Sequence, residues 1–145
     1  MKDITFTYDE ETKTTYCHCR NSRNVHFMGQ AQCHEADYDM ENTLTGQEIA
    51  FRRAKIAFLC DERDNNLKPR LAALEQLLYS MKHSCNFNPK SYESKMLRRQ
   101  IYLTNFDLAT IKEMIQYERQ NLKAFIEKKD KMYQTIRKHR QGKIG

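Results

Sequence analysis

The sequence predicts an α+β chain: a small N-terminal antiparallel β-sheet followed by a long antiparallel two-helix hairpin. Three observations predict it. Apolar and polar residues alternate with a period of two from Ile4 to about Cys33, apolar residues recur at three and four from Thr45 onward, and a loop rich in Asn, Pro and Ser divides the helical part near Pro89. At 145 residues the chain is read as a single domain. Residues 1–34 form a β-meander, 45–83 a first helix with a break near Pro69, 90–138 a second long helix and 139–145 a basic tail.

The strands come first. In "DITFTY" the residues Ile4, Phe6 and Tyr8 alternate with threonine, as a half-buried strand requires. "DEETK" supplies a polar turn, "TTYCHCR" is rich in strand formers and "NSRN" turns again. In "VHFMGQAQC", Val25, Phe27, Gly29, Ala31 and Cys33 share one face and His26, Met28, Gln30 and Gln32 the other. The acidic stretch "HEADYDMEN" has no sustained period and reads as the connection from sheet to helix, with Thr45 as the cap.

The first helix carries Ile49, Ile56, Leu59, Leu67, Leu71, Leu74, Leu78 and Met81 at helical spacing, interrupted at Pro69. In the second, steps of four and three from Leu97 pass through Ile101, Thr104, Leu108, Ile111, Ile115, Glu118, Leu122, Phe125, Lys129, Met132 and Ile136, mostly apolar. Pro89 and Ser91 mark its start. The lengths predicted are roughly 55 Å and roughly 70 Å, so the second helix shows more apolar seam than the first can cover, which argues for a dimer or a larger homo-oligomer.

Composition excludes several classes. Charged residues make up 30% of the chain, and no apolar run nears the roughly eighteen residues needed to cross a bilayer, so no membrane role is expected. The start "MKDITFTYDEE" lacks the apolar core of a signal peptide, so the cytoplasm is the expected compartment. The five cysteines, Cys17, Cys19, Cys33, Cys60 and Cys85, lack the spacing of a disulfide scaffold. "CHC" at 17–19 and "CH" at 33–34 invite a metal, but Cys17 and Cys19 share a face that His18 does not, so they are assigned to core packing and no metal or cofactor is expected. The acidic cluster Glu35, Asp37, Asp39 and Glu41 reads as solvated. No GxSxG, P-loop, GxGxxG or HExxH motif occurs, and the expectation is that the protein is not an enzyme.

The remaining candidate is the start of the second helix. Tyr92, Lys95, Arg99, Tyr102 and Phe106 fall on one stripe, about 200° from Leu97, so it points away from the seam. Arginine and lysine there suit phosphate oxygens, and a tyrosine face suits a base. The net charge of +6 lies elsewhere: residues 123–145 hold eight Lys or Arg against two acids, and the other 17 basic and 17 acidic residues cancel. That basic end supports a nucleic-acid binder as the alternative function, and the heptad spacing supports a structural coiled-coil oligomer.

The segments "FTYDEETKTTYCHC", "TLTGQEIAFRRAKIAFL" and "NFNPKSYESKMLRRQI", spread over residues 4 to 105, resemble the type-one Thoeris anti-defence family of phages. The resemblance implies a short N-terminal sheet, two long C-terminal helices and dimers that build larger assemblies. It also implies a sponge in the host cytoplasm during infection, sequestering cyclic ADP-ribose isomers, and in some members cyclic oligonucleotides, without cleaving them. In that family two arginines one helical turn apart hold the phosphates. Lys95 and Arg99 stand at those positions, the first a lysine that keeps the charge and loses the fork. Tyr92, Asn86, Phe87, Asn88 and Tyr16 complete the expected ligand site by their chemistry.

Overall fold

A computed structural model describes residues 1–33 and 43–144. His34 and the acidic cluster Glu35, Asp37, Asp39 and Glu41 lie outside the described residues. The chain divides into two compact units, Met1–Phe58 with Gln116–Gly145, and Leu59–Ile115. In chain order the elements are β1 (Lys2–Asp9), β2 (Thr14–Arg20), β3 (His26–Gln32), α1 (Thr43–Asp61), a π-helical segment (Glu62–Leu67), α2 (Lys68–Lys82) and α3 (Tyr92–Ile144).

In the first unit the strands form an antiparallel sheet in the order β1-β2-β3. Both turns are built by a side-chain oxygen next to a residue at positive φ. Asp9 Oδ1 accepts from the amide of Glu11 at 2.9 Å, with Lys13 at φ 53°. The buried Asn21 accepts from the amides of Arg23 and Val25 at 2.9 and 3.0 Å, with Asn24 at φ 61°. These Asx-type bonds replace backbone partners that a tight turn cannot supply.

The register places Cys17 opposite Phe6 and Gly29, and Cys19 opposite Phe27, so one sheet face carries Phe6, Cys17, Cys19, Phe27, Gly29 and Ala31. Helix α1 packs on it through Ala50 and Ala54, both fully buried, and Phe58 meets Phe27 edge-on at 5.8 Å. The core is made of small residues, and the backbones approach closely: a Cβ at Gly29 would stand 2.0 Å from the Ala50 carbonyl oxygen. Ile4, Phe6 and Tyr8, on the strand face expected to be buried, stay 44%, 39% and 44% exposed, because the buried cluster draws on β2, β3 and α1 and not on β1. Val25 lies before β3 and is exposed. Glu118, which falls where the period of α3 asks for an apolar residue, pairs with Lys55 at 2.8 Å, and Arg52 sits over the Phe125 ring at 5.3 Å.

The expected boundaries need three corrections. Helix α1 starts at Thr43, so Thr45 is a buried first-turn residue and not the cap. The break near Pro69 takes the form of the π-helical segment just before it. Proline offers no N–H to the carbonyl four residues back and its ring crowds that carbonyl; widening the preceding turn relieves both. In that segment the Asp64 carboxyl, bonded to Arg63 and then to Lys68, is held down at about 2. Third, α3 continues through the expected tail to Ile144.

In the second unit the buried residues are Leu59, Leu67, Ser94, Leu97, Thr104, Leu108, Ile111 and Ile115. Those of α3 from Leu97 on follow the predicted steps, and Thr104 is accommodated because its hydroxyl donates to the Gln100 carbonyl at 2.8 Å. Among the described residues no helix is long and apolar enough to cross a membrane.

Candidate functional site

The start of α3 is assembled from residues 83–99 of the second unit. Ser91 caps the helix, its hydroxyl accepting from the Ser94 amide at 3.2 Å and its carbonyl from the Lys95 amide at 3.1 Å. The preceding loop is a run of side-chain turns: the Asn86 amide donates to Ser84 Oγ at 3.4 Å and the Lys90 amide to Asn88 Oδ1 at 3.0 Å. Arg98 then ties loop to helix, its guanidinium donating to the carbonyls of Pro89 and Ser94. Five N–H donors in a planar fork let one arginine fix both.

On this frame Lys95 and Arg99 stand one turn apart, exposed, and among the described residues neither side chain has a hydrogen bond or ion pair. Tyr92 and Tyr102, 73% and 70% exposed, lie on the same helical stripe, and Phe106 continues it. Two cations in the first turns of a helix, with open aromatic faces to either side, offer an anion two charges, a favourable dipole end and a surface for stacking.

Of the predicted ligand residues, Asn86, Phe87, Asn88, Tyr92, Lys95 and Arg99 fall in this stretch. Asn86 and Asn88 are exposed and Phe87 half-buried, with its amide bonded to the Ser84 carbonyl. Asn88 has a structural task, since its side-chain and main-chain oxygens hold the turn into Ser91, leaving only its amide nitrogen to face a ligand. Tyr16 belongs to the first unit, on β2, with its ring 6.4 Å from that of His18. Sequence reasoning missed two residues: Arg98, which holds the loop, and Ser94, whose hydroxyl is completely buried with no hydrogen-bond partner among the described residues. Because that hydroxyl is desolvated for no return, and alanine is the better helix former, Ser94→Ala is expected to raise the melting temperature, by about 0.5–1 kcal/mol in stability. A thermal melt of the variant checks it.

A second feature lies in the first unit. A cleft of about 180 Å³ is lined by Lys13, Thr15, Gly46, Arg53, Lys129 and Tyr133, among others. It has room for a ring-sized group, and Arg53 also donates to the Gln30 carbonyl at 2.7 Å. Spacing offered no signal for it, since its residues come from three distant stretches. The thiols of Cys17 and Cys19 face the core and are pushed up by burial, with Cys19 adding to the rise at Cys17 and the N-terminal ammonium opposing it at Cys19, as suits packing groups.

No family model, no curated protein and no solved structure matches this chain.

Proposed function

We propose that the protein binds a cyclic nucleotide of the cyclic ADP-ribose type and holds it without cleaving it, acting as a phage anti-defence sponge. The observation that carries the reading is the pair Lys95 and Arg99, exposed and uncommitted one turn apart between the open faces of Tyr92 and Tyr102. Phosphate clamps and stacking surfaces retain a nucleotide, and retention is all a sponge requires. The resemblance to the Thoeris anti-defence family supplies the substrate class. In this reading the helices pack as an antiparallel hairpin, the ligand sites lie at edges, and the setting is the host cytoplasm.

The test is incubation of the purified chain with a panel of cyclic ADP-ribose isomers and cyclic oligonucleotides, then removal of free ligand, denaturation and mass spectrometry. Intact nucleotide released on denaturation is the expected result. An altered product would make the protein an enzyme, and no retention would defeat the sponge reading.

Self-association belongs to the same proposal. Ile4, Phe6 and Tyr8 on β1, Leu44 at the start of α1, and Leu103 and Met114 on α3 are large apolar or aromatic side chains outside the ligand stripe that are left exposed in the single chain. Burying them against a second copy removes apolar area from water, at about 25 cal/mol for each Å². Light scattering at micromolar concentration is expected to give at least twice the 17.4 kDa of one chain. A particle of single-chain mass would count against it.

A further inference from the structure

The open face of the sheet carries a side-chain cluster that the proposed function does not use. His18 Nδ1 and His26 Nε2 are 3.1 Å apart, their ring centroids 5.3 Å apart, and His18 Nε2 is 3.0 Å from Thr7 Oγ1. The register explains the meeting. His18 stands opposite Met28 and Arg20 opposite His26, so the two histidines are diagonal neighbours on the face turned away from Cys17 and Cys19. Met28 shares that face and is exposed.

From this juxtaposition we infer that His18 and His26 form a binding site for a late divalent transition-metal ion, copper(II) or nickel(II) in preference to zinc or magnesium. Geometry favours such an ion. Two nitrogens 3.1 Å apart, each about 2.1 Å from one ion, subtend an angle of about 95° at it, which is the angle between neighbouring ligands in square-planar or octahedral coordination. With the nitrogens 3.1 Å and the ring centroids 5.3 Å apart the rings meet nearly end to end, so each must swing by about 40° to aim its lone pair at the shared ion. The ring proton of His18 also has a place away from the ion. Thr7 Oγ1 can accept from His18 Nε2–H, and that tautomer leaves the Nδ1 lone pair directed toward His26. A hydrogen-bond acceptor on the far nitrogen is the usual support of a metal-bound imidazole, so Thr7 has the place of a positioning residue. Donor chemistry points the same way. Imidazole nitrogens with a thioether nearby suit late transition ions, whereas magnesium wants oxygen.

The surroundings limit the site to a modest one. Among the described residues no three His, Cys, Asp or Glu side chains converge, so two imidazoles carry the binding and solvent completes the shell. Arg20 lies across from His26, and Asp3 lines the same depression, so a cation there meets one charge of each sign. Asp3 adopts φ 54° where the β1–β2 register shifts, which brings an irregular strand segment to the site's edge.

The experiment is a calorimetric titration of Ni²⁺ into the full chain, with Cys85→Ser to remove the exposed thiol. The expected result is one Ni²⁺ per chain and none of Mg²⁺. His18→Ala and His26→Ala should each weaken Ni²⁺ binding by at least about tenfold, and Thr7→Val by less, without lowering the melting temperature of the metal-free protein. Histidine-ring NMR signals give a second readout: of the five histidines, those of His18 and His26 should broaden first as Ni²⁺ is added. Should His18→Ala fail to fold, His26→Gln, at an exposed position, serves in its place. No Ni²⁺ binding by the parent, affinity retained in His18→Ala/His26→Ala, or first broadening at other histidines would overturn the inference.

Discussion

Gly29→Ala is expected to destabilise the first unit by about 3 kcal/mol or more, because the added methyl group has no space. The reason is space, since Gly29 does not adopt a positive φ. An added Cβ would stand 2.0 Å from the Ala50 carbonyl oxygen, 2.4 Å from the Ala54 amide nitrogen and 3.0 Å from the Arg53 carbonyl carbon. All three are backbone atoms of α1, so no rotamer change relieves the clash. The helix must lift from the sheet, opening voids beside Cys17, Phe27 and Ala31 and separating the Phe27 and Phe58 rings. Shortening the side chain opposite does not help, because Ala50→Gly leaves the offending oxygen in place. Urea unfolding followed by circular dichroism is the measurement, with Gly142→Ala as control. Nothing lies within 4 Å of a Cβ at Gly142, so that substitution should be neutral or stabilise α3 by up to ~1 kcal/mol. If Gly29→Ala unfolds at the parent's midpoint, the close approach of sheet and helix is wrong.

That contact also shows why the sequence conveyed the elements better than their burial. Alternation located all three strands, since a period of two is a property of the local chain. It could not say which strands the helix covers, because that is a tertiary fact, and so the face of β1 with Ile4, Phe6 and Tyr8 was expected to be more buried than it is. In α1 the large residues Ile49 and Ile56 drew the apolar pattern, and Ile49 does pack at the margin of the cluster, but its fully buried helical members are Ala50 and Ala54, since small side chains are what let the two backbones touch. Alanine carries little weight in a hydrophobic pattern and much in a close packing. Likewise Pro69 located a defect without revealing its form, because a kink, a break and a π turn all relieve the same missing donor.

The candidate site was legible to a similar depth. Its cap could be read from "NPKS", because Ser91 satisfies an orphan amide through a purely local bond. The outward direction of Lys95 and Arg99 followed from their phase against Leu97, which is buried while they are exposed. Arg98, next to them and identical in type to Arg99, was not distinguishable by sequence. Its role depends on the loop passing within reach of its guanidinium, nine residues back at Pro89. Of two adjacent arginines, one ties the loop to the helix and the other is exposed with no side-chain partner among the described residues.

That division yields the second prediction. If Lys95 and Arg99 clamp phosphates, Arg99→Ala should weaken cyclic-nucleotide binding by about 1.5–3 kcal/mol, the scale of a lost charge-assisted hydrogen bond, and leave the melting temperature of the empty protein nearly unchanged. The exposed Arg99 side chain, with no partner of its own among the described residues, gives no reason to expect more from the fold. Arg98→Ala should do the reverse in part: it frees the Pro89 and Ser94 carbonyls, loosens the loop and lowers the melting temperature, with any loss of affinity following from disorder at residues 86–91. Lys95→Arg should keep or improve affinity, because a guanidinium offers two parallel donors where an ammonium offers a point charge. Calorimetric titrations of the three variants beside the parent, each with a thermal melt, separate the outcomes. Should Arg99→Ala bind as tightly as the parent, the clamp is not there. Should it instead lose stability as Arg98→Ala does, Arg99 is a packing residue and the ligand must be sought elsewhere, with the cleft beside Arg53 and Lys129 the next place to test.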